Sequence, residues 1–200
     1  MNNVDKIFAA TDNCVDFADK YFEYLTSVLT QINRSEVAKF AEILLDARER
    51  GASIYFMGNG GSAATASHFA NDIAIGTRSF EKPFRVVSLC DNQAVLTAIG
   101  NDNGYENIFY EQLAVLLQEG DVVIGISASG NSENLIRGID YANENGATTI
   151  GLTAFDGGKL RKNAQYSVHI PTVKGEYGPA EDGHMILDHL IGNYLMRVIK

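Results

Sequence analysis

The sequence predicts an α/β protein, a three-layer αβα sandwich around a five-stranded parallel sheet with helices added at the N-terminus. Three observations carry this. Short apolar runs alternate with amphipathic stretches, the pattern of a parallel sheet covered on both faces. Two of those runs end in Gly/Ser-rich loops, Gly58 to Ser62 and Ser127 to Ser132. The first 50 residues hold no strand-like run at all.

Residues 3–32 read as one long helix, because Val15, Ala18, Phe22, Leu25, Leu29 and Ile32 recur at spacings of three and four. Asn33 and Arg34 interrupt the pattern, and Ser35 with Glu36 opens a second helix to about Arg50. Gly51 follows, where a left-handed residue ends a helix. Beyond it, five strands are expected at 53–57, 84–89, 121–126, 148–152 and 166–170. Helices are expected at about 62–75, 92–99, 106–117, after Ser132 to about Asn145, and from Ala180 to Ile199. Residues 1–200 form one domain, with 1–50 as a helical extension. An amphipathic helix with no sheet of its own most simply packs on a second subunit.

The net charge of −9 argues against a nucleic-acid surface, where Lys and Arg must neutralise phosphates. It leaves room for a local anion site built from backbone N–H groups. Cys14 and Cys90 form neither a disulfide framework nor a CxxC zinc pattern. The N-terminus lacks the basic and apolar regions of a signal peptide, and no run is long enough to span a membrane. These readings place the protein in the cytoplasm.

Both Gly/Ser loops follow strands, so both fall on the carboxyl edge of the sheet, where ligands of such folds bind. In Ser127-Ala128-Ser129-Gly130-Asn131-Ser132 the hydroxyls can donate to phosphate oxygens, and small residues let backbone N–H groups approach. In Gly58-Asn59-Gly60-Gly61-Ser62 the glycines free the backbone, and Ser62 stands at a helix start. Each loop alone could be a turn with a serine cap; two on one edge point to an anion, such as a phosphorylated sugar.

The ionisable residues cluster on two helices. His68 and Asp72 are four apart and share a face. On the closing helix Glu181, His184, Asp188 and His189 stand close together. Glu181 and His189 are eight apart, roughly 80° around the helix, so they can converge beside it. Two imidazoles and two carboxylates suit a zinc site, and equally an acid/base pair. His169, at a strand end, reads as structural.

The runs GNGGSAATASHFANDI, SASGNSENLI, LTAFDGGKL and EDGHMILDHLI resemble the sugar-isomerase (SIS) domain family, in particular the phosphoheptose isomerases, and the likeness spans essentially the whole chain. The resemblance implies a flavodoxin-like SIS fold and an aldose–ketose isomerase. Its substrate would be sedoheptulose 7-phosphate, converted to a heptose 7-phosphate through an enediol. It implies Zn2+ held by His68, Asp72, Glu181 and His189, with Asp72 as base and His189 as acid. It places substrate contacts on Asn59, Gly60, Gly61, Ser62, Asp72, Asn101, Asp102, Ser127, Ala128, Ser129, Ser132 and Glu181. It further implies a homotetramer in which the active site forms between subunits.

Three positions depart from that family. Asp72 stands where the family has Glu, Glu181 where it has Gln, and Ala128 where a hydroxyl residue is common. A base one methylene shorter matters, because misplacement near 1 Å can cost ~10²-fold in rate. Two rival expectations follow: an isomerase of a different phosphosugar, or a non-catalytic relative that binds a partner such as a replication initiator. The filled base and acid positions favour catalysis.

Overall fold

The computed structural model describes residues 1–200. The N-terminal segment is two helices rather than one: α1 (Asn3–Ala9) and α2 (Cys14–Gln31). The break falls at Thr11-Asp12-Asn13, where Asn13 turns out of helical geometry and caps α2 by accepting from the N–H groups of Val15 and Asp16. Helix α3 (Arg34–Arg50) ends at Gly51 with a φ of 69°, as expected from the sequence.

The alternating unit follows: β1 (Ser53–Gly58), α4 (Gly61–Asn71), β2 (Arg85–Ser88), α5 (Gln93–Asp102), α6 (Tyr110–Leu116), β3 (Val122–Ser127) and α7 (Glu133–Glu144). Then come β4 (Thr148–Ala154), α8 (Gly158–Asn163), β5 (Tyr166–Ile170) and α9 (Tyr177–Val198). The five strands are all parallel, in the order β2-β1-β3-β4-β5. The expected three-layer arrangement is therefore present. Ile54, Phe56, Ile124, Ile126, Leu152 and Ile170 bury one face under α3, α4 and α9. Tyr55, Met57 and Val123 point the other way, into a second core with α6, α7 and α8.

Four further elements differ from the sequence reading. The helix expected to continue to Ile75 changes at Asp72 into a single π turn, Asp72–Gly76. That wider turn seats Ile73 in the core while Asp72 stays partly exposed. The helix expected over 106–117 is a 3-10 turn, Tyr105–Asn107, followed by α6. Helix α9 starts at Tyr177 rather than Ala180, because Pro179 is tolerated in a first turn whose N–H groups need no intrahelical acceptor. Helix α8 carries too few apolar residues to be read from periodicity. It is held by Leu160, which sits against the paired Gly125 and Gly151 of β3 and β4.

Strand order reverses between β1 and β3: the chain first steps outward to β2, then returns to the other side. The crevice at that reversal is where parallel sheets bind ligands. Both Gly/Ser loops leave the sheet at this point, one after β1 and one after β3.

Candidate active site

The first loop is tight because it has to be. A Cβ on Gly58 would lie 2.4 Å from the Ser62 carbonyl oxygen, and Gly60 has a φ of 55°. The loop delivers the chain into α4 at Gly61, with Ser62 buried in the first turn. The second loop is braced by its own side chains and by the β4–α8 turn. Ser127 Oγ accepts from the Gly130 N–H at 3.0 Å, and Asn131 Nδ2 donates to the Ser129 carbonyl at 2.8 Å. The N–H groups of Ala154 and Leu160 donate to the carbonyls of Ala128 and Gly130 at 3.1 and 2.8 Å. Ser132 is the N-cap of α7 and makes no capping bond with its side chain, so its hydroxyl is left for an anion.

The two loops are tied together. Asn59 and the buried Asn134 form a reciprocal amide pair, with both N–H···O distances 2.9 Å. The Leu135 N–H fixes which atom of Asn134 is oxygen by donating to it. Tyr105 donates its hydroxyl to Asn59 Oδ1 at 2.8 Å. Asn59 thus spends its oxygen and one N–H on the scaffold and keeps one N–H for a ligand.

A second set of groups lies between α4 and α9. The helices run side by side in register. Gly61 meets Glu181, His68 meets Asp188, and Asp72 meets Gly192. In this groove one ligand atom each from His68, Asp72, Asp188 and His189 lies within 4.8 Å of the others. The rings of His68 and His189 stand edge to face with centroids 5.2 Å apart. His68 Nδ1 is hydrogen-bonded to Asp188 Oδ2. That bond pushes the His68 imidazole up, and burial pushes the Asp188 carboxyl up. Two imidazole nitrogens beside carboxylate oxygens form a donor set suited to a divalent cation of zinc type.

The structure therefore brings together three of the four expected metal-site residues, His68, Asp72 and His189, with Asp188 beside them. Glu181 does not join the cluster; Asp188 does. A Cβ on Gly61 would lie 2.6 Å from Glu181 Oε2, so this carboxylate stands over the first loop. Gly61 is seven residues from His68, about 10 Å along the helix. The eight-residue spacing on α9 gave the right angle but not this offset, because Glu181 and His189 meet different turns of α4. Asn101 and Asp102 are exposed at the end of α5 and bond to each other at 2.7 Å. Ala128 is buried and contributes its backbone to the loop.

Three residues outside the expected site belong to it structurally: Asp188, Asn134 and Tyr105. For Asp188 a signal existed. It falls on the α9 face of Ala180, Leu187, Ile191 and Leu195, and a carboxylate on an apolar face calls for a partner. For Asn134 and Tyr105 no local pattern gives the contact. His184 is wholly buried, its Nε2 3.4 Å from the Thr153 carbonyl, and burial lowers its pKa to about 4. His169 is half-buried on Thr153 Oγ1 at 3.0 Å.

Residues 20–154 match the family model described as the SIS domain. Phosphoheptose isomerase from Geobacter sulfurreducens is 40% identical over 155 residues, covering 78% of this chain and 81% of that protein. The enzyme of that name from Aquifex aeolicus is 37% identical, covering 80% and 83%. The chain belongs to the SIS-domain family, on its phosphoheptose isomerase branch. Among solved structures, a phosphoheptose isomerase from Francisella tularensis superposes with a TM-score of 0.84 at 25% identity, covering 93% of this chain and 100% of that one. That from Neisseria gonorrhoeae gives 0.83 at 29%, covering 92% and 98%.

Proposed function

We propose that this protein is an aldose–ketose isomerase that converts sedoheptulose 7-phosphate to a heptose 7-phosphate through an enediol. The convergence of Asp72 and His189 beside His68 carries the reading, since it supplies a base and an acid at the groove reached from the phosphate loops. The loops hold the phosphate away from the reacting carbons, so that its binding energy orients them. Asp72 takes the proton next to the carbonyl, and His189 moves a proton between the sugar oxygens. Asn59 offers its remaining N–H to the sugar, and Glu181, standing over Gly61, accepts from a hydroxyl.

His68, Asp72 and His189, with Asp188 behind them, are the residues we assign to a bound Zn2+. When bound, the ion would polarise the carbonyl and hydroxyl oxygens as a Lewis acid.

A homotetramer with active sites between subunits is our reading from the family resemblance, and exposed apolar surface supports contacts between subunits. Phe8, Val15 and Phe22 are exposed on the first two helices. A groove of about 300 Å³ between α3 and α9 is lined by Val37, Leu45, Leu190 and Tyr194. We place the protein in the cytoplasm, supported by its unpaired Cys14 and Cys90. No helix is long and apolar enough to cross a membrane.

The test is a substrate panel followed by NMR: sedoheptulose 7-phosphate, fructose 6-phosphate and N-acetylhexosamine phosphates. Conversion of the heptulose phosphate is expected. Turnover of a hexose phosphate alone would sink the heptose assignment, and no turnover of any would sink the isomerase.

A further inference from the structure

Asp188 is the least expected member of the groove. It is 0% exposed, among the apolar residues that hold α9 to the sheet. A carboxylate in such a place is costly unless something holds it. One oxygen, Oδ2, is bound to His68 Nδ1 across 120 residues of sequence. The other, Oδ1, is buried with no partner in the protein. Helix periodicity alone would put a Leu or Ile here.

An imidazole held by a carboxylate at Nδ1 carries its hydrogen there and turns its Nε2 lone pair outward. His68 is half-exposed, so its ring is free to be presented in this way. We propose that Asp188 is the positioning carboxylate of the centre: it fixes the Nδ1–H tautomer and the ring orientation of His68, so that Nε2 is the nitrogen offered to a divalent cation. Asp188 then acts through His68 rather than as a ligand. This inference rests on the reading of the groove as a cation site.

The test uses the full-length protein stripped with chelator, and zinc as the probe. Competition with a chromophoric chelator measures affinity, and the Co2+ absorption spectrum reports the ligand set. Asp188→Asn and Asp188→Leu are each expected to bind zinc ~10- to 100-fold more weakly, the range for lost outer-shell partners, with Asn the milder. In a His68→Ala background the Asp188→Asn change should cost nothing further. An equal cost in both backgrounds would show that Asp188 is itself a ligand, and unchanged affinity in both single variants would show that it is only structural. Either overturns the proposal. The wild type supplies a readout that needs no variant. With only four histidines in the chain, the 15N resonances of His68 can be assigned. Zinc should shift Nε2 and leave Nδ1 protonated; coordination through Nδ1, or no zinc binding at all, overturns the proposal. The isomerase assay stands apart, since a protein that binds zinc in this way but turns over no sugar leaves the role of Asp188 intact.

Discussion

The strand-end edge and the groove between α4 and α9 are built on different principles. The edge is made largely of backbone: turns after β1 and β3, with helix N-termini behind them. The groove is made of side chains from helices far apart in sequence, meeting only because the helices lie in register. A backbone site holds an anion through many weak donors. A side-chain site concentrates its chemistry in single groups, so one substitution can remove it.

That contrast can be broken most decisively at His189. His189→Ala should lower kcat by ~10²- to 10⁴-fold, the usual worth of a general acid or base, while phosphosugar affinity changes only a few-fold. Steady-state kinetics with calorimetric titration would check this. An equal loss in affinity would mean that the groove and the edge are one binding unit.

A second effect lies at the seam between the regions, where His184 is buried against β4. Its folded pKa is lowered to about 4, against an ordinary value of 6.5. The unfolded chain therefore takes up the proton first as pH falls. Stability is full above about pH 6.5 and is lost progressively toward pH 4, by about 3 kcal/mol for this group. Urea midpoints across that range should show the slope, and His184→Met should flatten it.

Asn134→Ala sharpens the account of the edge. It strips Asn59 of its buried partner, at a cost of about 1–3 kcal/mol in stability. The KM for the phosphosugar should rise while kcat is largely kept; a fall in kcat alone would place Asn59 with the chemistry. The smallest effect is expected from Tyr105→Phe, which removes one exposed hydrogen bond to Asn59 worth about 1 kcal/mol. A rise in KM of a few-fold, with a melting temperature lowered by about 2–4 °C, is the expected result.

Much of this was legible in the residues. The apolar runs marked all five strands, and the Gly/Ser loops marked the carboxyl edge where the strand order reverses, because each is a pattern within a few residues. The helix caps at Asn13 and Gly51 are equally local, yet only the second was read, since the periodic residues that define the first helix, Val15 to Ile32, all lie beyond Thr11-Asp12-Asn13. Helix α8 escaped because its stability comes from one leucine packed on two glycines of neighbouring strands. The His68–Asp72 pair was visible at helical spacing. The contact of His68 with Asp188 was not, because it depends on the register of two helices 120 residues apart.

The sequence by itself determined the fold class, the two Gly/Ser loops and the ionisable character of the groove, since alternation, turn residues and i, i+4 pairs are short-range physics. Only the tertiary structure decided which carboxylate faces which histidine. That choice depends on how far α9 slides along α4, and the side chains packed between the helices and the sheet set that offset.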